Sequence, residues 1–156
     1  MILASLRPDD INLPLFLHVL GAMALVGALI AASAALLIAW RGGGPGGDAV
    51  VLRRLAFRTM LLGVIPAYIV MRIGAEWTAS EENLGDSDAA WLGIGYITAD
   101  AGLLLVIAAT LLAYVGVRRE RRGGGGQGLM NTAAVIGVIL VLAYLVALWA
   151  MASKPL

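Results

Sequence analysis

The sequence predicts an all-α integral membrane protein, a bundle of four transmembrane helices that forms a single domain over residues 1–156. Of its residues, 61% are hydrophobic and 13% charged, and the mean hydropathy is +0.92, whereas soluble domains are usually about 45–50% apolar. The apolar residues also fall into four blocks. Each is long enough to cross a hydrocarbon core about 30 Å thick, which takes about 20 helical residues.

The four predicted helices cover residues 13–40, 55–77, 91–117 and 129–151. Each must be helical, because lipid offers no hydrogen-bond partner to an open backbone. The first block exceeds the roughly 7–15 residues of a signal peptide's apolar region, so we expect it to stay uncleaved. In the second, Pro66 removes a hydrogen bond to the carbonyl of Leu62, which predicts a kink near Gly63.

Basic residues predict the orientation of the bundle. The arginines that flank the first and third loops are Arg41, Arg53, Arg54, Arg58, Arg118, Arg119, Arg121 and Arg122. The opposite side carries Arg7, Lys154 and an acidic loop over residues 76–88. Because Lys and Arg favour cytoplasmic loops, we expect both termini outside. High Ala, Gly and Arg usage is typical of GC-rich bacterial genomes. We therefore expect a multi-pass protein of the cell inner (plasma) membrane of a bacterium.

Several function classes are disfavoured by residues that the chain lacks. The arginines cluster at helix ends rather than along a groove-binding face, so nucleic acid is not an expected partner. The chain has no cysteine and therefore no disulfide or thiolate metal site. Its glycine-rich loops lack the Gly-Lys-Ser/Thr ending of a phosphate-binding loop. No serine pairs with His18 in a known catalytic motif, so an enzyme is the less favoured class.

Three ionisable side chains lie inside predicted helices: His18, Arg72 and Asp100. Such groups cost about 2.5–3.5 kcal/mol each on insertion scales, so they usually face the bundle interior and mark function. All three belong to the outer half of the membrane. An ion pair between Arg72 and Asp100 would neutralise both charges.

Helical spacing adds three residues to this predicted cluster. Tyr68 and Glu76 lie one turn on either side of Arg72, and Tyr96 lies one turn before Asp100. We expect the tyrosine hydroxyls to hydrogen-bond the ion pair, while Glu76 competes for Arg72. The pair either fixes the register of the second and third helices, or lines a ligand- or proton-binding pocket open to the outside.

His18 is the only histidine. It is either an imidazole hydrogen-bonded to a neighbour or a haem or metal ligand. As a haem ligand it would need Met23, Met71 or another protomer to supply the second axial position.

Residues 16–27 have the sequence FLHVLGAMALVG. This segment resembles the first helix of small bacterial membrane proteins that include the copper-resistance D family and the J-type protoporphyrinogen oxidase. The matching residues are His18, Gly21 and Gly27, and the resemblance implies a haem or metal near His18. Leu25 and Val26 stand where a tryptophan is common, and the further histidines of the haem- and copper-handling members are missing. The resemblance is therefore nearest to the uncharacterised four-helix members.

Three functional hypotheses follow. The first is a non-enzymatic accessory subunit or small-ligand-binding module with an outward-facing polar cluster. The second is a haem- or quinone-linked membrane redox protein that uses His18. The third is a small transporter that works through Asp100 and Arg72. The expected partners are the lipid bilayer and either further copies of the chain or a larger membrane complex.

Overall fold

The computed structural model describes residues 9–42, 47–83 and 89–153, which form helices and short turns with no strand. The helices are α1 (Asp9–Arg41), α2 (Gly47–Thr59), α3 (Ile65–Glu81), α4 (Ala90–Arg121) and α5 (Gln127–Ser153). A π-helical segment, Met60–Val64, joins α2 to α3. α1, α2 together with α3, α4 and α5 make four spans long and apolar enough to cross a membrane. The predicted all-α, four-span architecture is confirmed.

Some residues used in the orientation argument lie outside the described part of the chain. They are Arg7, Asp86, Asp88, Lys154 and the first-loop residues 43–46.

The helices extend beyond the predicted apolar blocks. α2 begins at Gly47 rather than near residue 55, and α4 ends at Arg121 rather than near residue 117. Asp48 in the first turn of α2 and the arginines in the last turn of α4 suit the partial charges at those helix ends. At the other end, α3 continues to Glu81, so Glu76 and Glu81 are helical rather than part of a loop. Hydropathy locates the apolar part of a helix and misses its polar end turns.

The second span is not a continuous α-helix. The π-helical segment ends at Val64, and Pro66 follows in the first turn of α3. In a π turn each N–H donates to the carbonyl five residues back rather than four. This turn therefore precedes Pro66 at a point where the carbonyl of Leu62 receives no hydrogen bond from the proline, which has no N–H. The interruption contains Leu62 and Gly63, where the sequence predicts a disturbance.

The spans pack as an up-and-down bundle in which one pair of neighbours separates. α1 packs along α2, α3 and α5, while α4 packs along α5 and, near its C-terminal end, against α2. α3 and α4 make few contacts with each other. We call the end of the bundle where α1 and α4 finish the arginine end, and the end where α3 finishes and α4 begins the cavity end. A gap between α3 and α4 therefore opens at the cavity end.

Two glycines bring the backbones of α1 and α3 together at the cavity end. A Cβ built on Gly21 would lie 2.3 Å from the Met71 nitrogen, and one on Gly74 would lie 2.4 Å from the His18 nitrogen. No side chain fits at either point, so glycine permits the close approach. This contact fixes the register of α1 on α3 and sets His18 beside Met71.

The bundle surface is apolar. Leu62, Ile97 and Leu104 are each exposed over at least 70% of their area, and many other large apolar side chains are also exposed. An apolar surface of this extent is suited to lipid rather than water. The chain is a multi-pass membrane protein.

Candidate functional site

Arg72 is the centre of the polar cluster at the cavity end. Its Nη2 lies 3.0 Å from Oε1 of Glu76 and 3.1 Å from Oδ1 of Asp100. Its guanidinium carbon lies 5.2 Å from the centre of the Tyr96 ring, within the range of a cation–π contact. The structure thus brings Arg72 and Asp100 together as predicted, with Glu76 sharing the same guanidinium nitrogen.

The tyrosines act differently from the prediction. The buried Tyr68 donates a hydrogen bond from its hydroxyl to the carbonyl of Ala99 at 3.2 Å, and not to the ion pair. Tyr96 meets Arg72 through its ring face. The hydroxyl of Tyr68 therefore links α3 to the backbone of α4.

The cluster lies on the bundle surface, which corrects the expectation that its charges face the interior. The side chain of Asp100 is 66% exposed, that of Glu76 51% and that of Arg72 28%. α3 and α4 are too far apart here to enclose these side chains between them. Arg72, Asp100 and Tyr68 therefore tie the two helices across the edge of the gap.

His18 of α1 is held against the backbone of α3. Its Nδ1 lies 3.1 Å from the carbonyl oxygen of Met71. A carbonyl only accepts, so Nδ1 carries the proton and donates, and in a neutral ring Nε2 is left with an accepting lone pair. Metal-binding histidines show this same pattern, with one ring nitrogen bonded to a carbonyl and the other facing the ligand.

A cavity of about 540 Å³ lies between His18 of α1 and residues of α3, α4 and α5. This volume is within the usual range for small-molecule sites. Three of the six predicted site residues line it, namely His18, Arg72 and Tyr96. Most of the other lining side chains are apolar and come from α1, α3, α4 and α5. Tyr68, Glu76 and Asp100 lie outside the lining and act through Arg72 or through the α3–α4 contact.

The cavity is a poor match for a haem. His18 offers a correctly oriented imidazole, and Met23 and Met71 both line the cavity as potential second ligands. A haem also brings two anionic propionates, and Arg72, the one arginine among the described lining residues, is already paired with two carboxylates. The part of the chain that the structure describes contains no group of three His, Cys, Asp or Glu residues suited to a metal. His18 and the two methionines have donor atoms suited to a haem iron, whereas the paired Arg72 is poorly suited to bind the propionates.

Sequence reasoning missed a buried ion pair at the arginine end. Arg53 Nη1 lies 2.5 Å from Oε1 of Glu120, and the two side chains are 4% and 13% exposed. Arg53 Nη2 also lies 3.5 Å from the carbonyl of Ala39. From the sequence, Arg53 contributes only to the predicted orientation of the bundle. The signal that could have found the pair is Glu120, a single acid among four arginines over residues 118–122.

Tyr144 of α5 is a second residue that the sequence did not indicate. It is 94% buried at 6% exposure and lines the cavity. Its hydroxyl is enclosed, without a hydrogen-bond partner among the described residues, where a Cβ on Gly102 would approach within 2.5 Å. The tyrosine ring therefore forms part of the wall between α4 and α5, while the hydroxyl faces Gly102.

The sequence matches no protein-family model, no curated protein and no solved structure. The resemblance of the first helix to the copper-resistance D group thus stays a prediction. Function must be argued from the geometry of the cavity itself.

Proposed function

We propose that this chain is a non-enzymatic membrane protein, an accessory subunit or small-ligand-binding module, whose cavity opens toward the outside of the cell. The observation that carries the proposal is a cavity of ligand size with a fixed imidazole on one wall and a fixed guanidinium on another. Both groups are held by neighbouring residues before any ligand arrives. Such preorganisation lowers the entropic cost of binding.

The non-enzymatic assignment is supported by how His18 is used. Its protonated nitrogen is bonded to the backbone carbonyl of Met71. A catalytic base is usually oriented by a carboxylate and lies within reach of a nucleophile. The contact on His18 instead suits a residue that positions or binds.

The proposed setting extends the same argument. The cavity lies at the end away from the arginine-rich loops, so the positive-inside rule directs it outward and leaves both termini outside. We propose the inner (plasma) membrane of a bacterium as the location, and a bend in the second span at Pro66 as the feature that separates α3 from α4. The exposed Asp100 supports contact with a second copy or a larger membrane complex, because a carboxylate at 66% exposure is costly in lipid.

A filled-cavity variant tests the binding function. Ala75 lines the cavity and is half-buried, so Ala75→Phe places a ring in the space proposed for the ligand. The matched control is Ala31→Phe, because Ala31 is exposed on α1 and does not line the cavity. Mass spectrometry of small molecules that co-purify in mild detergent should show a species lost only from Ala75→Phe. The same species in both variants would refute the proposal.

A haem-linked redox role is the second candidate, favoured by the orientation of the His18 ring. Protein purified from haem-supplemented cells should show a Soret band that His18→Ala removes. A colourless wild-type protein would reject this role.

A transport role is the third candidate, favoured by the position of the Arg72–Asp100 pair at the gap between α3 and α4. Asp100→Asn should then abolish uptake in reconstituted vesicles while the protein remains folded. Unchanged uptake would reject it.

A further inference from the structure

The charges around the cavity are unbalanced. Arg72 contributes one positive charge to the lining, and Glu76 and Asp100 both bind it. Glu82 also lines the cavity, is exposed, and is in no ion pair among the described residues. Among the described residues, one positive charge thus lies near three negative ones. An anionic ligand would be repelled, and a cationic one attracted.

Three polar side chains of the cavity lining offer acceptors, beside the N–H donors of Arg72. In the neutral His18 ring, Nε2 is an acceptor because Nδ1 donates to the carbonyl of Met71. The hydroxyl of Thr78, which also lines the cavity, donates to the carbonyl of Gly74 at 2.8 Å, so its oxygen is left to accept. The Glu82 carboxylate only accepts. A ligand that fits this wall brings N–H or O–H donors.

The remaining walls suit a lipophilic body with a cationic group. Val19, Ala22 and Leu148 are among the apolar lining residues, and Trp91 and Tyr96 supply aromatic rings. Tyr96 already carries the Arg72 guanidinium over its face, so a cation is stable against this wall. Aromatic faces attract ammonium groups in the same way.

We propose that the cavity binds a lipophilic ammonium ion, an apolar molecule that carries a protonated amine. The amine donates to Nε2 of His18 and lies within the field of Glu82, while the apolar body fills the space between α1, α4 and α5. This assignment rests on the proposed ligand-binding function and adds the chemical class of the ligand.

Three probes with one shape and different head groups test the charge preference. They are 1-adamantylammonium, 1-adamantanol and 1-adamantanecarboxylate, which share one apolar cage. Titration calorimetry on the full chain in lipid nanodiscs at neutral pH, corrected with empty discs, gives the three affinities. The ammonium probe should bind about tenfold more tightly than the alcohol, as charge-assisted hydrogen bonds are stronger than neutral ones. The carboxylate should show no saturable binding.

Adjacent acids give a matched pair of variants. Glu82 lines the cavity, whereas Glu81 does not and accepts a hydrogen bond from Trp77. Glu82→Gln should weaken the ammonium probe by about two- to fivefold, the range for an exposed charge pair, and leave the alcohol unchanged. Glu81→Gln should change neither. His18→Phe should weaken both probes, because each donates to Nε2.

The possible results distinguish the lipophilic-ammonium assignment from the general ligand-binding function of the cavity. If all three probes bind equally and Ala75→Phe abolishes their binding, the cavity is a ligand site and the cation assignment is wrong. Preference for the carboxylate, or ammonium binding that survives Ala75→Phe, overturns the assignment as well. If no probe binds and no co-purifying species depends on Ala75, both proposals fail. Because Glu82 is exposed, its variant remains informative even if His18→Phe does not fold.

Discussion

Replacing Arg53 by methionine should destabilise the protein strongly, although the sequence around Arg53 predicts only the orientation of the bundle in the membrane. The side chain is 4% exposed and its partner Glu120 is 13% exposed. Removing Arg53 leaves the Glu120 carboxylate buried without a counter-charge, and its Oε2 already lacks a partner among the described residues. Breaking a buried pair in this way typically costs about 3–5 kcal/mol.

Neighbouring variants make the comparison quantitative. Arg54→Met alters the adjacent arginine, which is exposed, and should change the free energy of unfolding by less than about 0.5 kcal/mol. The double variant Arg53→Met with Glu120→Leu removes both charges and should recover most of the loss, since apolar replacements of buried pairs are often neutral or stabilising. Reversible unfolding in mixed micelles with increasing dodecyl sulfate, followed by circular dichroism, gives the free energies. Equal, small losses for Arg53→Met and Arg54→Met would show that Glu120 does not depend on Arg53 as a buried counter-charge.

Three further variants follow from the contacts of single residues. Asp100→Asn should keep the fold, because Arg72 retains its pair with Glu76 and Tyr68 retains its bond to the Ala99 carbonyl; complete unfolding in the same micelle assay would show instead that the pair is structural. Gly74→Ala should cost about 1–3 kcal/mol by overpacking, whereas Gly27→Ala, which meets nothing within 4 Å, should be neutral; equal melting temperatures of the two would contradict the close helix contact. Tyr144→Phe should leave stability unchanged or raise it by up to about 1 kcal/mol, because the hydroxyl is buried without a partner among the described residues; a lower melting temperature would reveal a hidden partner.

The sequence predicts the spans well because lipid imposes a strong constraint on each apolar block. Every block had to be a helix, and the four spans are found. The end turns were missed because Asp48 and the arginines of α4 lower the hydropathy there while they favour helix termini.

The candidate site was predictable only in part. The Arg72–Asp100 pair follows from a simple rule, since two opposite charges at similar depth in lipid favour each other. The bond from Tyr68 to the Ala99 carbonyl does not follow, because helical spacing gives a residue's face and not the distance to the next helix. The cavity depends on the separation of α3 from α4, which is a property of packing along the whole bundle.

Burial also distinguishes the two ion pairs in a way that spacing does not. Arg53 and Arg72 both belong to the second span. The Arg53–Glu120 pair is nonetheless buried, whereas the Arg72–Asp100 pair is largely exposed. Contacts between α2 and α4 close the arginine end around Glu120. Such contacts between segments far apart in the sequence are not visible in local patterns.

The binding proposals depend on the separation of α3 from α4 around a cavity that His18 and Arg72 help to form. Cryo-electron microscopy of the full chain in lipid nanodiscs, with a bound antibody fragment to add mass, tests it most directly. We expect separated helices and, with 1-adamantylammonium present, density for the probe with its amine within hydrogen-bond distance of the His18 ring. Helices α3 and α4 packed together along their whole length, with no space beside His18, would contradict it.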